Sequence, residues 1–433
     1  MDWEKLLEKA SSRVEEAEVF QKKSIETSLS LRRKEIQGIK IAFNTQNHLR
    51  IVKGHKVGFS STTNLEENEE EMIKQSMLGI HFNSDKVLHF PSDEKYSLVK
   101  VFDKNIEVLD VDHLILKARE LEDELSEARI GIERFFEIRA EQTDVLIANT
   151  NGLYNKYAKT MLTIFVAVQI FRNIPQYRIT NFISTCKMES NENALAETLQ
   201  SRAKMPIVHI QKHTKLPIII MPYAISILIS PLVLNLSGEA VLDGLSRMNT
   251  KINQEIFDER LTIIDDGSID WMPGSAPSDD EGVHTCRKPL IESGTVKNLY
   301  HTLETAYSFN DTFTGNGKRG FNSPPIASPT NIIVLPGDVT TEELIEDLQR
   351  GIVVQEAVLR NSSNAFSGEI IVDVTQSQFI QDGSIEGNLN SFALSFNLFD
   401  VAKKLNTIGR NVETFGNLIS PPIMLTPLSI KSQ

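Results

Sequence analysis

At 433 residues, with 40% apolar and 24% charged side chains, the chain has the composition of an ordinary globular protein of two or three domains. A formal net charge of −13 argues against a phosphate-backbone partner, whose affinity rests on clustered Lys and Arg, so no direct nucleic-acid contact is expected. Two widely separated cysteines, Cys186 and Cys286, are too few for a disulfide scaffold or a cysteine-built structural zinc site, and they fit a reducing compartment.

The first twenty residues show neither the basic stretch nor the apolar stretch of a secretory signal, which points to the cytoplasm. Over 2–13 the apolar residues Trp3, Leu6, Leu7 and Ala10 fall at helical spacing behind an acidic first turn. Residues 17–21 and 24–33 read as strands, with Ile25, Thr27, Leu29 and Leu31 alternating with polar neighbours. Arg32, Arg33 and Lys34 read as a solvated basic run. Two further strands, 48–52 and 56–61, are joined through Gly54 as a hairpin. Asn64 is placed to cap a following acidic helix. Residues 83–110 are polar and irregular, a connecting segment, and 111–128 form an acidic amphipathic helix. Two strands then span 131–172 around a turn at Thr150, Asn151 and Gly152, and a helix over 193–203 leads to the middle of the chain.

That middle is the most informative stretch. Residues 218–221 are an Ile-rich run bounded by Pro217 and Pro222, as a buried strand is written. Beyond them Ile225, Leu228, Ile229, Leu232, Val233, Leu236, Ala240 and Val241 keep spacings of mostly three and four. Pro231 and the pair Ser237, Gly238 interrupt this pattern, which predicts two helical pieces with a joint. No charge occurs over 216–236, a length that could span a bilayer. Three prolines, several polar residues and the lack of a basic anchor after it favour buried core over a membrane segment. Residues 261–265 are strand-like, and from Asp265 to Ser278 the Gly, Pro and Ser content predicts loop. The pattern from Thr340 to Glu343 caps a helix over 342–350, and the remainder reads as strand and turn with one helix near 398–406.

Several constellations could carry chemistry. Asp279, Asp280 and Glu281 suit either a solvated loop tip or a place that binds a cation, positions a substrate amine, or shapes a cleft. The loop from Thr314 to Arg319, with Gly315, Asn316 and Gly317, lacks the ending and context of a nucleotide-binding loop. Its glycines instead suggest open backbone that an extended peptide could pair with. His209 with His213, and His284 with Cys286, lack a third ligand. No G-x-S-x-G elbow supports a serine hydrolase.

Four short motifs in fixed order, SDDEG, PLIESG, ETAYSFNDTFTGNGKRG and SPTNIIVLPGDVTTEELI, together with GEAVLDGLSR, resemble the TldD/PmbA family. The resemblance covers most of the chain and is strongest from about 215 to 430. It implies an α+β fold, with an N-terminal antiparallel sheet flanked by helices over 1–200 and a β-rich C-terminal domain over 201–433. It also implies a cytosolic zinc metallopeptidase of two related subunits that works on peptides or unfolded proteins, in a family also named for modulation of DNA gyrase. Catalytic members carry H-E-x-x-x-H where this chain has Gly238, Glu239 and Asp243, and a ligand cysteine near the C-terminus where GRNVETFGNLISPPIM has none. The chain therefore resembles the TldE/PmbA-type subunit: no catalytic residue and no zinc of its own, and a TldD-type metal-bearing paralogue or a second copy as partner. Asp279, Asp280, Glu281, Gly315, Asn316 and Arg319 are its candidates for lining a substrate cleft. A stand-alone peptide-binding homodimer, or a hydrolase using carboxylates such as Glu239, Asp243 and Asp279 without metal, are the other readings.

Overall fold

The structure is a computed structural model, and it describes the chain apart from residues 1–2, 64–68, 82–87, 93–94, 128–132, 171–176, 189–197, 200, 203–204, 211–213 and 433. The expected cap at Asn64, most of the expected helix over 193–203, and His213 lie outside the described residues.

The N-terminal half is built on one six-stranded antiparallel sheet in the order β3-β2-β1-β4-β5-β6. Its strands are β1 (Glu16–Arg32), β2 (Glu35–Lys53), β3 (Lys56–Thr62), β4 (Glu133–Asn149), β5 (Tyr154–Ile170) and β6 (Tyr177–Thr185). The expected pair of short strands over 17–33 is one continuous strand. The polar residues between them stay in register, because β1 is paired with β2 on one side and β4 on the other. Strand β2 likewise starts thirteen residues before the expected 48.

Alternation sorts this sheet into two faces. Odd-numbered residues of β1 (Ala17, Val19, Leu29, Leu31) are buried beneath helices. Those helices are α1 (Trp3–Ser11), α2 (Glu69–Ile80) and α4 (Val111–Glu127), with α3 (Lys104–Glu107) a single turn before α4. Even-numbered residues, among them Glu18, Phe20 and Lys22, face the other way, toward the C-terminal half.

The C-terminal half holds an eight-stranded mixed sheet, a six-stranded sheet and a two-stranded ribbon. The central strand, Lys215–Ile220, pairs in parallel with Arg350–Leu359 and antiparallel with Ile423–Ser432. Ile218, Ile219 and Ile220 are fully buried there. Pro217 lies inside this strand rather than bounding it. It is tolerated because the ladder to Ile423–Ser432 skips at this point, between Leu425 and Leu428, so no bond is asked of the missing N–H. Two helical pieces follow, Ser226–Leu234 and Gly238–Leu242. Pro231 lies within the first piece, and the joint is at 235–237. The Asn235 amide holds that joint by donating to the carbonyls of Pro231 and Ala365 at 2.9 and 2.8 Å.

Both pieces pack into the largest apolar cluster, which joins the eight-stranded and six-stranded sheets. Among the described residues no helix is long and apolar enough to cross a membrane. The strand expected over 261–265 is Ile263–Asp266, so Asp265 closes with it as read, while Asp266, expected in loop, is its last residue. Their carboxylates have partners from distant segments, which local composition does not reveal.

Candidate functional site

The helix that aligns with the metal motif begins at Gly238. Gly238 is buried, and a Cβ added there would come within 2.4 Å of Nδ1 of His301 and 2.7 Å of Oγ1 of Thr305. His301 is itself buried; its Nδ1 meets Thr305 Oγ1 at 3.1 Å and its backbone N–H donates to Thr314 Oγ1 at 2.7 Å. Burial depresses the pKa of its imidazole, opposed by Asp311, whose carboxylate is 3.5 Å from Nε2. Both Thr302 and Thr305 fasten this region further, as the capping box of the helix Leu303–Phe309.

Glu239 is half-buried and spent on structure. Both of its oxygens accept from the backbone N–H of Ala327, at 2.8 and 2.7 Å, and Ser237 donates to it at 3.3 Å. Desolvation pushes its pKa above the ordinary value despite those bonds. Asp243 caps the end of the short helix and is exposed. A metal needs several N, O or S donors converging on one point. Here one position has no side chain, one carboxylate is engaged and one is in solvent, so these residues do not fit a metal. Among the described residues no three His, Cys, Asp or Glu converge suitably elsewhere.

A second region lies where the sheet's even-numbered face meets the C-terminal loops. It is a cavity of about 320 Å³ bordered by Lys22, Glu141, Tyr157 and Lys159 from the sheet, and by Asp279, Asp280, Gly315, Asn316 and Lys318 from the loops. Burial, reinforced by nearby Lys318, depresses the pKa of Lys22. Burial also lowers Lys159 to about 8, and its ammonium donates to the carbonyls of Pro273 and Ser275 at 2.5 and 2.8 Å. Asp279 is pushed well up by burial and by the charge of Glu281.

The acidic triplet is not a solvated tip. Asp279 Oδ1 accepts the N–H groups of Glu281 and Val283, both at 2.9 Å, and Oδ2 accepts that of Gly317 at 2.7 Å. Asp280 Oδ2 accepts the N–H of Arg319 at 2.9 Å. The glycine loop is therefore not open backbone for strand addition, because Gly317–Arg319 already pairs with Pro325–Ala327 and gives its N–H groups to these acids. Gly315, at φ +66°, is required where a Cβ would strike the carbonyl of His284 at 2.3 Å.

Of the six cleft candidates, Asp279, Asp280, Gly315 and Asn316 border the cavity, while Glu281 and Arg319 sit in a buried charge cluster. In that cluster Arg50 from β2 donates to Glu281 at 2.5 Å and to both oxygens of Glu18 from β1 at 3.1 and 3.2 Å. Arg319 donates to Glu18 and to the Asp280 carbonyl. Glu281 also accepts the N–H of Leu303 at 2.8 Å. Glu18 and Arg50 escaped the sequence reading. The only trace they leave is a charge at an alternating position within an otherwise apolar stretch of strand. Gly238, Glu239 and Asp243 do not border the cavity.

Comparison with known proteins places this geometry. The PmbA/TldA metallopeptidase C-terminal domain matches residues 213–432, and the PmbA/TldA metallopeptidase domain 1 matches 17–77. An uncharacterized protein of Methanocaldococcus jannaschii is 26% identical over 431 residues, 98% of each chain. A metalloprotease of Methanothermobacter thermautotrophicus is 30% identical over 174 residues, which cover 40% of this chain and 37% of that one. The crystal structure of TldE from Thermococcus kodakarensis has the same fold, with a TM-score of 0.87 at 21% identity over 99% of this chain and 100% of that one. With both domains matched in order, and the larger alone spanning more than half of the chain, the protein belongs to the PmbA/TldD metallopeptidase family.

Proposed function

We propose that this chain is the metal-free, TldE-type subunit of a cytoplasmic two-chain peptidase, in which a TldD-type paralogue holds zinc and cuts peptides or unfolded proteins. The observation that carries the reading is Gly238: the first motif position offers no ligand, and the room a side chain would need is taken by His301 and Thr305. Glu239, tied to Ala327 by both oxygens, is engaged as a fastener rather than held free as a base. Over the same stretch the motif loops remain fully built, with Asp279, Asp280, Gly315 and Asn316 around a polar cavity. A cavity bearing both ammonium and carboxylate groups suits peptide backbone and termini better than an apolar ligand.

The test is co-expression with a metal-bearing paralogue. Co-purification, zinc in the paralogue alone, and a peptidase rate that needs both chains are expected. Independent purification of the two, with the paralogue's rate unchanged by this chain, would sink the proposal. Chelator-insensitive cleavage by this chain alone would favour a carboxylate hydrolase instead.

A further inference from the structure

Lys22 is a half-buried cation in the wall of the cavity between the sheet and the C-terminal loops. Among the described residues its ammonium makes no hydrogen bond and no ion pair. The strand register sets Val145 beside Lys22, and Tyr157 beside Val145. These three form one row across β1, β4 and β5, about 10 Å from first to last at ordinary strand spacing. The Tyr157 hydroxyl likewise makes no hydrogen bond among the described residues. Burial, together with the charges of Asp280 and Asp279, raises its pKa, so it keeps its proton and can donate. The row therefore offers a cation at one end, a donor at the other and an apolar floor between them.

The loops add charge of the same sign as Lys22. The Lys318 ammonium, exposed and 3.6 Å from Asp280 Oδ2, repels Lys22 and helps to lower its pKa. Lys159, in the next row of the sheet, is held by the carbonyls of Pro273 and Ser275 and repelled by both other lysines. Against these three ammonium groups the cavity sets Asp280 and Glu141. Asp279 offsets less, because burial and the charge of Glu281 push it toward its neutral form. An ammonium drawn partly out of water beside others of its sign, with no acceptor in contact, is unfavourable until an anion joins it.

We propose that this cavity holds the C-terminal end of a peptide, its carboxylate on Lys22, with Lys318 and Tyr157 as further donors, and its last side chain over Val145. A volume of about 320 Å³ is far more than an inorganic anion fills and lies at the small end of ligand sites. Carboxylate and phosphate share the chemistry that Lys22 asks for; that the anion is a peptide end rests on the peptidase reading above. The metal-free chain then contributes recognition of the substrate rather than its cleavage.

Calorimetric titration of the isolated chain with N-acetylated Ala-Ala-Leu, as free acid and as C-terminal amide, tests this. At millimolar concentration the acid should bind, and the amide about tenfold more weakly or worse. Lys22→Met, which keeps the length and removes the charge, should bring the acid down to the affinity of the amide. Lys22→Arg should keep the preference, and Tyr157→Phe should weaken the acid severalfold. Acid and amide bound alike, or neither bound, overturns the inference, as does a Lys22→Met chain that still prefers the acid. Inorganic phosphate that competes with the acid at equal affinity overturns the peptide assignment. Discrimination through Lys22 in a chain that does not co-purify with a metal-bearing paralogue would leave the site and remove the subunit reading. Co-purification without discrimination would do the reverse.

Discussion

Glu281 shows how a residue can be read for its charge and misread for its task. In sequence it is the last of three acids before a glycine, and composition alone puts such a run in solvent. In the fold it is fully buried between Arg50 and the N–H of Leu303. Burial opposes the charge of Arg50, but Glu18 and Glu281 outweigh it and raise the pKa of the guanidinium. Arg50 and Arg319 also lie over the rings of Phe90 and Phe20, at 4.8 and 5.0 Å, which excludes water from the cluster. Breaking one member of a buried ion pair costs about 3–5 kcal/mol, because the remaining charge is stranded. Arg50→Met is therefore expected to lower stability by about that much, and Arg50→Met with Glu281→Leu to recover part of it. Denaturant midpoints of the two variants check this; a double variant worse than the sum of its parts would refute the charge-stranding account. Arg50 lies far from Glu281 in the chain, and periodicity carries no information about such a pairing.

The elements were legible where local pattern decides them. The Ile run at 218–220 is buried and paired on both sides, and the helix behind it does break into two pieces. The pattern failed where tertiary pairing decides, as in β1 and β2, whose polar stretches stay extended because neighbouring strands hold them. Nor does local pattern reveal what holds Asp265. There a carboxylate is fixed in a strand by Lys288 at 2.8 Å, by the Asn316 amide at 2.8 Å and by the N–H of Thr330 at 2.6 Å. Gly238 is a mixed case: its lack of a ligand was plain in the sequence, whereas the ring that fills its place was not. The short helix Gly238–Leu242 and the helix Leu303–Phe309 meet through this contact. Adding a methyl group should therefore cost about 1–3 kcal/mol, as overpacking does. Gly238→Ala is expected to destabilise, and less so in a His301→Ala background, where the ring is gone and Thr305 Oγ1 alone still crowds the methyl group. Thermal unfolding of the four species measures the coupling. Strict additivity would mean that the ring and the new methyl group do not compete for the same space. Gly238→His, by the same argument, should reduce the folded yield rather than restore a zinc site.

Across the whole molecule, the even-numbered face of the N-terminal sheet is where the two halves depend on each other. His48 on β2 lies in that contact, fully buried, with Nε2 3.1 Å from the carbonyl of Phe321 and the rings of Phe20 and Phe59 beside it. Burial, then the charge of Arg319, lowers its pKa to about 4. A histidine in the unfolded chain titrates near 6.5. Between those two values the unfolded chain therefore carries a proton that the folded chain refuses, and stability must fall as pH drops through the window. His301, depressed for the same reason, acts with the same sign. The full slope for one such group is about 1.4 kcal/mol per pH unit, so a loss on the order of 2 kcal/mol between pH 6.5 and 4.5 is expected from His48. His48→Gln should flatten the dependence in that window; an unchanged slope would remove His48 from the account. Of the chain's two tryptophans, Trp3 lies on α1 of the N-terminal half, and Trp271 comes from the C-terminal half at the contact between the two, its N–H donating to the carbonyl of Lys100 and its carbonyl accepting the N–H of Cys186. If the charge cluster and His48 join the halves into one cooperative unit, single-tryptophan variants should show coincident unfolding transitions at pH 7 and at pH 5. If Trp271 instead moved at lower denaturant than Trp3, the halves would be uncoupled, and neither the charge cluster nor His48 would be what joins them.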